Sequence, residues 1–200
     1  MIVDGKNYKS IWCLKQKVFV IDQTKLPFEF KIIELKKLDD YCEAIFSMKV
    51  RGAPLIGVTA AFGIANSTKN DPSDESIIFS YKKLLSTRPT AVNLQWALDK
   101  MKGELLKVKP SDRTDLAYNL ADKISKNDVS ACESIGNHGA KLIESIFKKE
   151  KRVINILTHC NAGWLAAVNW GTALAPIYKA KRKKIPIHVW VDETRPRNQG

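Results

Sequence analysis

Cys160 is the residue of this sequence best placed to do chemistry, because its thiol directly follows a short apolar run. The run Val153 to Leu157 leads into Thr-His-Cys-Asn. A thiol at the end of a strand and near the start of a helix can have a lowered pKa, and the resulting thiolate is the reactive form. His159 is not expected to activate it, since adjacent side chains of a strand point to opposite faces. A structural cysteine at a strand end is the alternative, and the residues alone leave both interpretations open.

Two arginines elsewhere could hold an anion. Arg51, Gly52 and Ala53 stand at a predicted helix start, where backbone amides, a guanidinium and the positive end of the helix dipole favour a phosphate. The alternative is that Gly52 only separates two helices and Arg51 is a surface charge. Arg88 is similarly placed, in a loop whose shape Pro89 restricts.

A third group of polar residues follows the apolar run Ile185 to Val191. Asp192, Glu193 and Arg195 come directly after this run. If the two runs are neighbouring parallel strands, these charges share the sheet edge with Cys160, and ligands of open α/β sheets bind at that edge. A salt bridge among these charged residues is the other interpretation.

The elements that position these residues are predicted from hydrophobic periodicity. Alternating residues predict an antiparallel sheet over 10–36, with Phe28, Phe30 and Ile32 on one face of its last strand. Several helices follow, and the apolar, glycine-rich segment after Ala53 must be buried. Their expected starts and spans are Asp39 or Asp40, Pro54, Asp71 to Asp74, Asn93, Asp112–Ser125 and Asp128–Lys149.

The last part of the chain predicts a βαβ unit. It consists of the strand before Cys160, a helix over Trp164 to Ala180, and the strand Ile185 to Val191. The apolar runs are typical of strands covered on both faces. We therefore predict an α/β fold with two domains. Residues 1–125 form a mainly helical domain with a small antiparallel sheet, and residues 126–200 form a linking helix and the start of a parallel α/β domain. Two strands do not complete such a sheet, so we expect a fragment or a chain that needs a partner.

Composition narrows the function classes. The chain has 200 residues, of which 44% are hydrophobic and 27% charged, which is typical of a folded domain. It shows no membrane span or signal peptide, so we expect a cytoplasmic protein. The four cysteines form no C-x-x-C pair, which argues against a zinc site and a disulfide scaffold. The net charge of +12 falls mainly in Lys148–Arg152 and Lys179–Lys184, which we interpret as solvated helix ends rather than a nucleic-acid surface.

Four motifs in order carry a family resemblance, and an early D-Q-T-K-L-P (Asp22–Pro27) extends it towards the start of the chain. The chain resembles the methylthioribose-1-phosphate isomerases, in the superfamily that includes the regulatory subunits of translation initiation factor 2B. The motifs are R-G-A-P-L-I-G-V-T-A-A-F-G (Arg51–Gly63), R-P-T-A-V-N-L (Arg88–Leu94), L-T-H-C-N-A-G (Leu157–Gly163) and D-E-T-R-P-R-N-Q-G (Asp192–Gly200).

The resemblance implies a helical domain followed by a Rossmann-like domain, in a homodimer that uses neither cofactor nor metal. It implies conversion of 5-methylthioribose 1-phosphate, a small phosphorylated sugar, to 5-methylthioribulose 1-phosphate in methionine salvage. By matching motifs, it makes Cys160 catalytic. The same matching makes the following residues substrate-binding: Arg51, Gly52, Ala53, Arg88 and Gln199.

One departure from the family pattern bears on activity. The family's general acid is an aspartate in a later G-A-D-R-type motif, followed by a substrate-binding Asn-Lys, and the sequence reaches Gly200 before either. We therefore expect a truncated chain with impaired turnover, in which Asp192 does not replace the acid. Two alternatives remain open: a non-catalytic regulatory subunit of the initiation factor 2B type, which tends to lack the cysteine, and a ribose-1,5-bisphosphate isomerase.

Overall fold

A computed structural model of the chain describes residues 1–192. These residues fall into two compact units, one formed by Ser10–Asn127 and the other by Met1–Lys9 together with the chain from Asp128 on. A small antiparallel sheet and several helices precede two parallel strands, which confirms the predicted mixed α/β fold class. The division at residue 125 stays a prediction. Within residues 1–192, no helix is both long and apolar enough to cross a membrane.

The first unit begins with the predicted three-stranded antiparallel sheet, in which the strands lie side by side in chain order. The prediction that the third strand extends back to Phe28 is wrong, since Phe28 is 96% exposed. This segment forms a turn instead, in which the amides of Phe28 and Glu29 both donate to the Lys25 carbonyl. The strands are β3 (Ile11–Leu14), β4 (Lys17–Ile21) and β5 (Ile32–Leu35).

Four helices lie entirely within this unit, which also contains the start of a fifth, and the second of the four is its centre. They are α1 (Leu38–Phe46), α2 (Ala53–Asn70), α3 (Asp74–Leu85) and α4 (Val92–Leu105). Helix α2 is buried from Leu55 to Thr68 and packs against α1, α3 and α4, which confirms the expectation drawn from its composition.

The helix starts follow the sequence only in part. The capped start predicted over Asp71 to Asp74 is confirmed, and Ser73 is the cap, since its Oγ accepts a hydrogen bond from the Ser76 amide at 3.2 Å. Asp40 lies inside the first turn of α1, where its carboxylate accepts the amides of Lys36 and Lys37, so it is not the N-cap residue. The prediction for Asn93 is wrong, because α4 begins at Val92.

The two predicted helices Asp112–Ser125 and Asp128–Lys149 are one helix of 41 residues, α5 (Pro110–Glu150). The predicted start of the second helix, Asp128, lies inside α5. The Asp128 carboxylate accepts the Val168 amide at 2.7 Å, and burial raises the pKa of this carboxyl. The Asp128 side chain therefore contacts a distant backbone group, and α5 continues through this position without a break.

The second unit contains the predicted parallel pair, β6 (Ile154–Thr158) and β7 (Ile187–Val191). The expectation that both faces are covered is wrong for the described residues, since Leu157 is 71% exposed and Trp190 58%. A hairpin that the sequence analysis missed, β1 (Ile2–Val3) and β2 (Lys6–Asn7), also belongs to this unit. Its signal was Asp4-Gly5, a typical hairpin turn pair.

The helix predicted over Trp164 to Ala180 is wrong as a single element. Trp164–Ala166 form one 3-10 turn, and helix α6 runs only from Ala175 to Arg182. Trp170 and Gly171 both have positive φ angles, 66° and 81°, which a right-handed helix does not allow. A Cβ atom on Gly171 would lie 2.7 Å from the Ala162 carbonyl oxygen, so glycine is required at this turn.

Candidate active site

Cys160 lies in the loop after β6, at the carboxyl end of the parallel pair, and its side chain is exposed. Its φ angle is 69°, in the left-handed region that costs a non-glycine residue about 1 kcal/mol or more. The loop is fixed on its far side, where the Ala162 carbonyl accepts the amides of Thr172 and Leu174. The structure therefore presents this thiol to solvent on a held, strained turn, as ligand-binding residues often are.

The neighbouring charges join the two strand ends. His159 Nδ1 lies 2.9 Å from Asp192 Oδ2, and the Asp192 amide donates to the Thr158 carbonyl at 3.2 Å. Asp192 therefore shares the sheet edge with Cys160, as predicted, and it pairs with His159. The other predicted residues of this edge, Glu193 and Arg195, lie outside the described residues, as does Gln199.

Two buried polar atoms flank Cys160. Thr158 Oγ1 and Asn161 Nδ2 are both inaccessible to solvent and have no hydrogen-bond partner among residues 1–192. A buried polar group without a partner costs about 1–3 kcal/mol, so such atoms are rare in a finished core. Sequence reasoning passed over both residues, although they stand on either side of His159 and Cys160 in the motif.

Arg51, Gly52 and Ala53 lie in the first unit, at the start of α2. Gly52 is the N-cap residue with a φ angle of 100°, and Ala53 is the first helical residue. Arg51 is only 9% exposed, and its Nε donates to Gln23 Oε1 at 3.2 Å. The predicted helix start is confirmed, and the alternative of a surface arginine is excluded. The geometry suits an anion at the helix start.

Gln23 is a residue that the sequence analysis did not single out. It is 1% exposed, and its amide donates to the Lys49 carbonyl at 3.0 Å while its side chain accepts from Arg51. The preceding Asp22 accepts the Thr24 amide and hydroxyl, which fixes the turn. The D-Q-T motif thus positions Gln23, and the Gln23 side chain orients the Arg51 guanidinium.

If Arg51 binds the phosphate of a sugar-phosphate substrate, as the family resemblance implies, we expect Gln23→Leu to raise KM for this substrate by about tenfold while changing kcat by less than about threefold, because it removes one charge-assisted hydrogen bond that orients Arg51. Initial-rate kinetics measure KM and kcat separately, on the intact protein, meaning the polypeptide as its own cells produce it. Gln95→Leu is the matched control, since Gln95 is exposed on α4. An equal rise in KM and an equal loss of thermal stability in both variants would contradict the positioning role of Gln23.

Arg88 lies in the turn between α3 and α4, where its carbonyl accepts the Ala91 amide at 3.0 Å. The start of α4 is pressed against the second turn of α2, since a Cβ atom on Gly57 would lie 2.8 Å from the Asn93 carbonyl oxygen. The motif that contains Arg88 is therefore brought next to the motif that contains Arg51. Cys160 belongs to the other compact unit.

Comparison with known sequences gives one family match and several relatives. The profile of the initiation factor 2 subunit family matches residues 49–200. Methylthioribose-1-phosphate isomerase of Escherichia coli O45:K1 is 53% identical over 204 residues, which covers 100% of this chain and 55% of that protein. The enzyme of the same name from Methylorubrum extorquens is 52% identical, with the same coverage. The chain thus spans about half the length of these relatives.

Two solved structures resemble the fold. Subunit delta of translation initiation factor eIF-2B from A. fulgidus has a TM-score of 0.82 and 34% identity, and the match covers 97% of this chain and 57% of that one. The 5-methylthioribose 1-phosphate isomerase of Pyrococcus horikoshii OT3 has a TM-score of 0.81 and 35% identity, covering 96% and 54%. An enzyme and a translation factor subunit are therefore about equally similar in backbone, so the fold alone does not separate the two functions.

Proposed function

The chain belongs to the initiation factor 2 subunit family, and we propose that it provides part of an isomerase that converts 5-methylthioribose 1-phosphate to 5-methylthioribulose 1-phosphate in methionine salvage. The observation that carries the proposal is Cys160, an exposed thiol on a strained turn at the carboxyl end of β6. The isomerase name of the relatives that match the whole chain at 53% and 52% identity supports it.

The reaction needs three things from the protein. The phosphate on C1 prevents spontaneous ring opening, so the C1–ring oxygen bond must break as an acid protonates that oxygen. Hydrogen then moves from C2 to C1, and the C2 hydroxyl gives up its proton to become the carbonyl. We propose that Cys160 acts at the reacting carbon atoms. The phosphate is proposed to bind at the start of α2, where Arg51, Gly52 and Ala53 lie. Arg88 and Gln199 complete the proposed substrate-binding residues.

We propose that the general acid comes from the part of the relatives that this chain does not cover, since the match spans 55% of their length. The purified 200-residue chain should then turn over the substrate at least about 10³-fold more slowly than the Methylorubrum extorquens enzyme, because a positioned acid contributes factors of this size. Formation of the ketose, followed by NMR, measures the rate. Turnover by the chain alone that is abolished in Cys160→Ala would contradict the need for an external acid.

Substrate choice distinguishes the sibling enzyme. We propose that the intact protein has a higher kcat/KM for 5-methylthioribose 1-phosphate than for ribose 1,5-bisphosphate. A reversed order would assign the site to the bisphosphate.

The second candidate is a non-catalytic regulatory subunit, which the structural similarity to the A. fulgidus subunit delta favours. Cys160 argues against it, since the family resemblance implies that the regulatory subunits tend to lack this cysteine. Native mass spectrometry of the intact protein from its own cells separates the two. A homodimer is expected for the isomerase, and a stable hetero-assembly with nucleotide-exchange partners for the regulatory subunit.

The remaining proposals concern setting and partners. We place the protein in the cytoplasm, where its cysteines stay reduced, which agrees with the four free thiols at Cys13, Cys42, Cys132 and Cys160. Its proposed ligand is a small phosphorylated sugar. That it uses no cofactor or metal, binds no nucleic acid and does not associate with a membrane remain predictions.

A further inference from the structure

A cleft lies between α5 and α6 in the second unit, and none of the residues of the proposed sugar-phosphate site lines it. Two glycines of α5 bring the helices together. A Cβ atom on Gly136 would lie 3.2 Å from the Ala175 Cβ atom, and one on Gly139 would lie 2.7 Å from the Pro176 Cβ atom. The cleft has a volume of about 450 Å³ and is lined by Asn137, Ala140, Lys141, Lys179, Arg182 and Lys183.

Positive charge exceeds negative charge around this cleft. Lys179 pairs with Glu133 at 2.8 Å, and Lys183 pairs with Glu144 at 2.6 Å. Glu144 also binds Lys148, and these two lysines lower its pKa to about 2, so it is fully ionised and shared. The lining cations Lys141 and Arg182 have no carboxylate partner among the residues that the structure describes.

Trp170 holds two of the cations in place. Its ring centroid lies 3.9 Å from Lys179 Nζ and 4.5 Å from Arg182 Cζ. The residue has a φ angle of 66°, and its amide donates to Asn169 Oδ1 at 2.9 Å, so the ring is presented by a strained, braced turn. Desolvation, and next the charge of Arg182, lower the pKa of the Met1 amino group, which also donates to Asn169 Oδ1.

The interpretation of Lys179–Lys184 as a solvated helix end is therefore incomplete. These residues do end α6, but the Lys179 side chain is only 17% exposed, between Glu133 and the Trp170 ring. Holding like charges close together is unfavourable by itself. A cleft with excess cations on a braced aromatic ring is therefore suited to an anion that neutralises them.

We propose that this cleft is a second binding site, for a small phosphorylated molecule. Phosphate groups carry two charges and several acceptor oxygens, which match an arginine fork flanked by lysines. The volume lies in the range of small-molecule sites and is too small for a folded partner. Neither Cys160 nor Arg51 lines the cleft, so this ligand is separate from the substrate.

The test titrates the intact protein with inorganic pyrophosphate and follows the indole N–H resonance of Trp170, assigned with Trp170→Phe. We expect saturable shifts, and an affinity at least about tenfold lower in the double variant Lys141→Gln/Arg182→Gln, because one lost charge-assisted contact is worth about a factor of ten. Lys181→Gln is the matched control, since Lys181 lies on α6 and does not line the cleft. We expect it to bind within about twofold of the parent.

Three results would overturn the proposal. One is no saturation by pyrophosphate. Another is equal weakening in Lys181→Gln and in the double variant, which indicates a diffuse basic surface. The third is displacement of pyrophosphate by a single-stranded oligonucleotide whose binding depends equally on Lys181 and Arg182, which indicates a nucleic-acid surface. All three are independent of turnover, so failure of the proposed isomerase function does not affect this test.

Discussion

Replacing Cys160 by alanine in the intact protein is expected to lower kcat for 5-methylthioribose 1-phosphate by about 10³-fold while leaving KM within about threefold. The thiol is assigned to the reacting carbon atoms and not to the phosphate, so its loss should affect the chemical step and spare binding. Because Cys160 is exposed and contributes no buried packing, the midpoint of thermal unfolding should stay unchanged.

A glycine at the same position separates function from stability. Cys160 has a φ angle of 69°, and glycine adopts this conformation without the steric cost of a Cβ atom. Cys160→Gly should therefore be as inactive as the alanine variant and at least as stable as the parent protein. A stabilising mutation that removes activity is the pattern expected of a residue held in a strained conformation for catalysis.

Cys42→Ala is the control for general effects of cysteine loss. Cys42 is half-buried in the other unit, and burial raises the pKa of its thiol, so it is not expected to react. Full activity in Cys160→Ala, or an equal loss in Cys42→Ala, would contradict the catalytic assignment. Steady-state kinetics with circular dichroism on all three variants decide between these outcomes.

The sequence predicts those features that its hydrophobic pattern and its helix caps determine. The apolar, small-residue segment of α2 can only be a buried helix, and the polar stretch Asp71 to Asp74 provides a cap for α3, which is Ser73. The parallel pairing of β6 with β7 follows from two apolar runs separated by a helix. Each of these predictions is confirmed.

The errors occur where distant contacts decide the local structure. A new helix is predicted from about Asp128, but the Asp128 carboxylate accepts the Val168 amide, 40 residues away, and α5 continues through this position. Trp170 fits a helical pattern, but the turn at Gly171 leaves no room for a helix. The sequence leaves Arg51 open between a surface charge and a phosphate-binding residue, and only its burial beside Gln23, 28 residues earlier, excludes the surface charge.

Gly57→Ala is expected to destabilise the protein by about 1–3 kcal/mol, because it overpacks the contact between α2 and α4. The new methyl group would lie 2.8 Å from the Asn93 carbonyl oxygen, which is backbone and cannot rotate away as a side chain could. The start of α4 must then move, and with it the turn that carries Arg88. We therefore also expect KM for the sugar phosphate to rise by about tenfold.

Gly103→Ala is the matched test of this explanation. Gly103 lies inside α4 with no atom within 4 Å of an added Cβ atom, so the same substitution should stabilise by about 0.4–1 kcal/mol. Urea unfolding measures both changes in the free energy of unfolding. Opposite signs are required, since the intrinsic gain from replacing a helical glycine is the same at both positions. If Gly57→Ala also stabilises and KM is unchanged, the close approach of α2 and α4 does not position Arg88.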